Sequence, residues 1–233
     1  MPTQTALSTL TADSDKGRKA TDLFRHAYNA AELDDERGQI LNENKAFPAA
    51  LRELIGRYSM PVQAPQGGRI HIIRVPVNPG REWQEAVDAA GPDTGSDWDV
   101  RKVGGLYPPQ PGEPRDEEHI LVNFGKTIPN LKYATDWGKP FGLTSKAPRS
   151  VFAIGEHRPQ LHRELKVGGM AIIAPVPCSF GDRQLVCFVW LGDVERGCGL
   201  GWVADEFGVE RGCNLRWAGV GFDDDCWFAF GRE

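Results

Sequence analysis

Apolar positions divide the chain into a stretch with helical spacing and a longer stretch of short strands. Leu23, Ala27 and Ala31 recur on one helix face, and so do Phe47, Leu51, Leu54 and Tyr58, with Pro48 where a first helical turn tolerates it. Residues 21–60 are therefore expected to form a helical extension. The preceding residues 1–20 lack aromatic and periodic apolar positions and read as a disordered tail. A turn-rich segment at 63–68 marks a boundary, beyond which residues 69–233 are expected to fold as an α+β domain.

In that domain the β-branched run 70–77 predicts a strand, and residues 81–90, closed by Gly91 and Pro92, predict a helix behind it. Proline and glycine punctuation makes 104–117 an irregular loop before a strand at 118–125. Residues 129–137 and 148–163 are helix candidates, the second broken by Pro159. From residue 168 the pattern changes to strands at 168–175, 184–191, 198–203, 213–217 and 226–230, expected to form an antiparallel sheet with one wet face.

This region contains a repeat. Val194-Glu195-Arg196-Gly197-Cys198 recurs as Val209-Glu210-Arg211-Gly212-Cys213, and each copy continues through a Leu to Trp202 or Trp217. Alternation puts Cys198, Leu200 and Trp202 on one face, Cys213, Leu215 and Trp217 likewise, and Cys226, Phe228 and Phe230 likewise, opposite Gly201, Asn214 and Arg216. If residues 184–231 are a meander, the turns at 192–197 and 218–225 share one end, gathering Asp193, Glu195, Arg196 and the run Asp223, Asp224 and Asp225. That acidic end, with Trp227 on the face opposite Cys226, is the expected binding surface for a cationic partner or Ca²⁺.

Composition narrows the partners. With 27 Lys and Arg against 32 Asp and Glu, a net charge of −5 offers no general attraction to nucleic acid or anionic lipid. No apolar run is long enough to span a membrane and residues 1–20 lack a signal-like core, so a cytoplasmic location is expected. The five cysteines, all in the last third, then read as reduced thiols.

Catalytic and metal signatures fail one by one. Gly125-Lys126-Thr127 resembles the end of a phosphate-binding loop, but Ile120 stands where its first glycine is needed and Pro129 follows. No two cysteines or histidines have the short spacing of zinc ligands, and His157 and His162, five apart across Pro159, read as surface residues. Around Cys178 the sequence resembles a nucleophile elbow with Pro177 where glycine is required, leaving a thiol nucleophile served by His157 or His162 as an alternative. Asp223, Asp224 and Asp225 could hold Ca²⁺ or simply make a solvated turn. Of the seven tryptophans, Trp83, Trp98 and Trp137 adjoin helices or loops, where exposure is open.

The stretches 70–78, 96–100, 119–125, 148–165 and 225–232 resemble a group of small proteins without assigned activity from environmental bacterial genomes. In that group the final strand carries Cys-Arg-Phe where this chain has Cys226-Trp227-Phe228, and the repeated hairpin stands out as an insertion. The order of elements is also similar to the C-type-lectin-like fold, which implies that the strand at 118–125 lies near 226–231 and that loops carry ligand contacts. Together these features favour a non-enzymatic binding module acting through loops of the C-terminal sheet on a protein or small ligand. The alternatives are a thiol- or carboxylate-dependent hydrolase and a structural subunit that self-associates through residues 21–58.

Overall fold

The computed structural model describes residues 15–59, 61–91, 98–193 and 209–232. Contacts divide the chain into two compact units, Met1–Gly56 and Arg57–Glu233. Helices α1 (Asp15–Ala30), α2 (Asp35–Glu43) and α3 (Phe47–Ser59) account for the first unit, with the end of α3 passing into the second. Helix α1 begins inside the segment expected to be a disordered tail. Asp15 in its first turn favours the helix dipole, and the ion pairs Asp15–Arg18 and Asp22–Arg25 support a surface helix with little burial. Asp34 caps α2 by accepting from the Arg37 amide at 2.8 Å. Leu23, Phe24, Ile40, Leu54 and Ile55 are exposed, so among the described residues the helical periodicity does not mark a buried face.

The second unit is α+β. In chain order it comprises β1 (Arg69–Val77), α4 (Trp83–Ala90), α5 (Trp98–Lys102), a 3₁₀ turn Val103–Leu106, β2 (Arg115–Asn123), α6 (Leu131–Gly138), a 3₁₀ turn Lys139–Phe141, β3 (Thr144–Ser145), α7 (Pro148–His157), α8 (Leu161–Glu164), β4 (Gly169–Ile173), β5 (Cys178–Phe180), β6 (Arg183–Asp193), β7 (Val209–Trp217) and β8 (Cys226–Gly231). Pro159 separates α7 from α8, as its missing N–H requires.

Eight strands make one mixed sheet in which β1, β2, β8, β4 and β6 are successive neighbours. Strands β4 and β7 pair with overlapping parts of β6 and must flank it, so β7 is an edge. Strand β5 continues the β4 side of β6, and β3 adds to β8. All pairings are antiparallel except β4 with β8. The expected adjacency of 118–125 and 226–231 is present, as Ile120 faces Phe230 and Asn123 faces Trp227.

Two expectations change. The sheet has apolar cover on both faces: Trp83, Val87, Phe152 and Ile154 from α4 and α7 pack with Trp227 and Ala229, while Leu131, Phe222 and Ile128 pack with Cys226, Phe228 and Phe230 on the other. Cys213 and Cys226 accordingly lie in different layers. Nor are residues 184–231 a meander, because β8 runs parallel to β4 and is inserted two strands away from β6. Residues 218–225 are a crossover over the second face, pinned by Ala218 N–H to Gln184 O at 2.8 Å and by paired bonds between Phe222 and Ile128. The predicted strand 198–203 lies outside the described residues. Residues 115–117, expected in a loop, join β2 because β1 is long enough to pair with them.

The Gly125 turn is a steric device. Its φ is +63°, and a Cβ there would stand 2.0 Å from the Gly67 carbonyl oxygen, so the turn after β2 packs backbone to backbone on the turn before β1. Gly125→Ala is expected to lower the unfolding free energy by more than about 2 kcal/mol, read from denaturant unfolding, since both backbone strain and a clash are introduced. An unchanged midpoint would contradict this packing.

Candidate functional site

Asp193 and the run Asp223, Asp224 and Asp225 lie toward one end of the sheet, since β6 ends where β4 and β8 begin, but Asp193 and Asp223 bond on opposite faces. Asp193 points to the face of α8, where Arg163 donates at 2.8 Å and His162 Nε2 lies 3.3 Å away. The Arg163 hydrogen bond holds the Asp193 carboxyl below its usual range. Asp223 and Asp224 are exposed on the crossover, with Asp223 3.2 Å from Arg216 Nη2. The Asp225 carbonyl accepts from the Ala171 amide at 3.1 Å. Among the described residues no three His, Cys, Asp or Glu side chains converge as metal ligands would. Glu195 and Arg196 lie outside the described residues. Trp227 is only 2% exposed and packs in the sheet, which removes it from the surface.

The other candidates also move. His162 is fully buried rather than on the surface, while His157 is exposed beside Glu156. Cys178 is buried near Tyr107 and Cys187, and no hydrogen bond joins it to His157 or His162 among the described residues. Burial, then the neighbouring Cys178, pushes the Cys187 thiol up, the opposite of nucleophile activation. Trp217, expected on the core face, ends edge strand β7 and is 48% exposed, with the Arg183 guanidinium 5.8 Å from its ring.

A polar cluster that the sequence did not single out lies where β2 meets the start of α7. Alternation along β2 points Arg115, Glu117 and His119 to the same face as Leu121, toward α7. Glu117 Oε2 accepts from Lys146 Nζ at 3.0 Å and Ser150 Oγ at 3.2 Å, and its Oε1 accepts from Arg115 Nε at 3.3 Å. Burial would raise the Glu117 pKa, but the Lys146 ammonium, with Ser150 and Arg115, holds it below the usual carboxylate range. Lys146 reaches across Gly231, where a Cβ would stand 2.4 Å from its Cε. A side chain at 231 would displace it.

Arg149, on the first turn of α7, fixes the opposite wall. Its Nε donates to Arg81 O at 2.9 Å and its Nη1 to Tyr107 O at 2.6 Å, while the guanidinium lies over the Trp83 ring at 5.4 Å. Trp83 in turn stacks on Tyr107, with centroids 5.2 Å apart, and donates to Val100 O at 2.8 Å. Arg149 has no ion-pair partner among the described residues, and it is only 9% exposed. Between these walls lies a cavity of about 170 Å³ bordered by Tyr107, Pro108, Arg115, Glu117, Arg149 and Ser150. Four buried side-chain nitrogens among the described residues lack hydrogen-bond partners, and three are here: His119 Nδ1, His119 Nε2 and Arg149 Nη2. Native interiors satisfy nearly all such groups, so their concentration marks this region out.

Compared with known proteins, the chain matches no family model, no curated protein sequence and no solved structure. No helix of the described residues is long and apolar enough to cross a membrane.

His119 sets a pH dependence. Burial first, then the Lys146 charge, pushes its pKa down to about 4 from an ordinary 6.5, with Glu117 opposing. Above 6.5 the imidazole is neutral in both folded and unfolded chains and stability is full. As pH falls below that value the unfolded chain takes up a proton that the folded chain refuses until about 4, so stability declines across this window and then levels off. His119→Leu should remove about 3 kcal/mol of that acid-dependent loss, measured by urea unfolding across the window. An equal slope in the variant would contradict a buried neutral His119.

Proposed function

We propose that the protein is a binding module whose ligand enters the cavity between β2 and the first turn of α7, with no chemical step performed on it. The observation that carries this reading is the group of charged and polar side chains, Arg115, Glu117, Arg149 and Ser150, converging on one small enclosed space beside buried nitrogens that lack partners. Specific small-molecule sites are concave and orient ligands with a few fixed polar groups. Binding is favoured over catalysis by the protonation states. Ser150 donates to a carboxylate kept ionised by Lys146, a weak base, and both His119 nitrogens are sealed from solvent. Ala147 is exposed on the cavity rim, so Ala147→Trp fills the mouth without entering the core. Purified protein incubated with a bacterial small-molecule extract and recovered by gel filtration should retain specific compounds, identified by mass spectrometry, and Ala147→Trp should lose them. Equal retention by both proteins would overturn the reading.

The exposed Leu23, Phe24, Ile40, Leu54 and Ile55 support a second reading, self-association through residues 21–58. Sedimentation velocity over a range of concentrations should then show a rising mass that Leu23→Glu with Ile40→Glu abolishes. A constant monomer mass would refute it.

A further inference from the structure

We infer that the outer edge of β1 is a pairing site for a second copy of this chain, the two β1 strands joining antiparallel about Ile72. Strand β1 ends the sheet: it pairs with β2 along its whole length, and among the described residues no strand lies on its other side. Which backbone groups face outward follows from hydrogen bonds deeper in the sheet. Along β8 and the residue before it, the Asp225 and Ala229 carbonyls serve the β4 and β3 side, accepting from the Ala171 and Lys146 amides, whereas the Cys226 carbonyl turns to Asn123 of β2. Because successive residues alternate, Phe228 and Phe230 bond to Val122 and Ile120, which leaves Leu121, His119 and Glu117 to bond to His71, Ile73 and Val75. The N–H and C=O groups of Ile70, Ile72 and Arg74 therefore point away from the sheet, together with the Pro76 carbonyl. Pro76 occupies an outward position, where a missing N–H costs the ladder nothing.

The edge is open as well as unpaired. Ile72 is 55% exposed and Arg74 and Pro76 are exposed, whereas Ile73, Val75 and Val77 on the alternate face are buried against α4 and α7. An open edge is a template for another strand unless charge, proline or a covering segment blunts it. Pro76 blunts only the last positions, and the run Ile70-His71-Ile72-Ile73 is left uncovered at its outward groups.

The edge matches itself. With Ile72 opposite Ile72 of the second copy, Ile70 falls opposite Arg74 and Arg74 opposite Ile70, so the three outward N–H groups and the carbonyls of the same residues are all used, about six hydrogen bonds in total. Pro76 then meets Gly68, whose amide is already given to the Pro65 carbonyl at 2.8 Å, so the ladder closes without an orphaned donor. Charge selects this register. Centring the pair on Arg74 sets two guanidinium groups directly opposite, and centring it on Ile73 makes them diagonal neighbours. About Ile72 each arginine lies beside an isoleucine and keeps its own Glu118 at 3.5 Å. The two Ile72 side chains, exposed in the single chain, cover one another. A strand of this length spans about 30 Å, so its edge buries on the order of 600 Å² in total, under the roughly 1,200 Å² of a stable complex. The pair is accordingly weak and concentration-dependent.

The test uses the full chain carrying Leu23→Glu and Ile40→Glu, so that the exposed helical residues do not supply the association. Sedimentation equilibrium is expected to show a dimer growing in as the concentration approaches about 1 mM, the range of a small interface. Ile72→Pro, which removes only an outward N–H, should weaken it by about tenfold or more, and Ile72→Lys, which opposes two ammonium groups at the centre, should do the same. Amide exchange followed by NMR reads the geometry directly: Ile70, Ile72 and Arg74 should gain protection as concentration rises, while His71, Ile73 and Val75 are protected throughout. A monomer at every concentration, or association unchanged in both folded variants, would overturn the assignment. So would protection of the three outward amides in dilute protein, since another part of the same chain would then occupy the edge.

Discussion

Strand β8 enters the sheet between β2 and β4, strands separated in the chain from it and from each other by long stretches of other structure, and all six of its residues are buried. Alternation then becomes an exacting constraint. Cys226, Phe228 and Phe230 complete one apolar layer while Trp227 and Ala229 complete the other, so a shift of one residue would exchange every side chain between layers. Each large side chain so placed contributes about 1.5–3 kcal/mol relative to exposure. The polar backbone entering the strand is held too, since Asn123 Nδ2 donates to the Asp224 and Cys226 carbonyls at 2.6 and 3.0 Å.

The crossover 218–225 follows from this insertion. Strand β7 ends opposite Leu185, while β8 begins opposite Ala171, so the connection has to cross β6 and β4. It does so as a second apolar layer, with Phe222 fully buried and 5.3 Å from the Phe228 ring. A segment rich in Gly and Asp reads locally as a turn. Its path is set by where the next strand finds partners, which is non-local information.

Elements with strong local signals were legible: the strand at 70–77, the helix closed by Gly91, the break at Pro159 and the terminal strand all appear. The alternation in β8 was correct, and what it could not show was that both of its faces are covered. The short β3 and β5, and the charged start of β2 at Arg115, exist because a partner strand is present, and no residue pattern announces them. The cleft was hidden for a related reason. Glu117, Lys146 and Ser150 are ordinary polar residues at scattered positions, and only the strand face of β2 and the entry angle of α7 bring them together. One signal was available: alternation from Leu121 back through His119 to Glu117 puts ionisable groups on a face that must be covered. The acidic residues differ. They share an end of the sheet without sharing a face, which clustering in sequence does not reveal, and each of Asp193 and Asp223 sits beside an arginine on its own side of the sheet.

Lys146 ties these two parts together. Its amide donates to the Ala229 carbonyl of β8 at 3.0 Å, and its side chain crosses Gly231 to reach Glu117. A fluctuation that releases the last strand therefore also takes away the counter-charge of Glu117. Amide protons along β8 and at Lys146 are expected to exchange as one opening unit. A ligand of the proposed site would in this way be a clasp on the sheet, expected to slow solvent exchange deep in β8 without touching it.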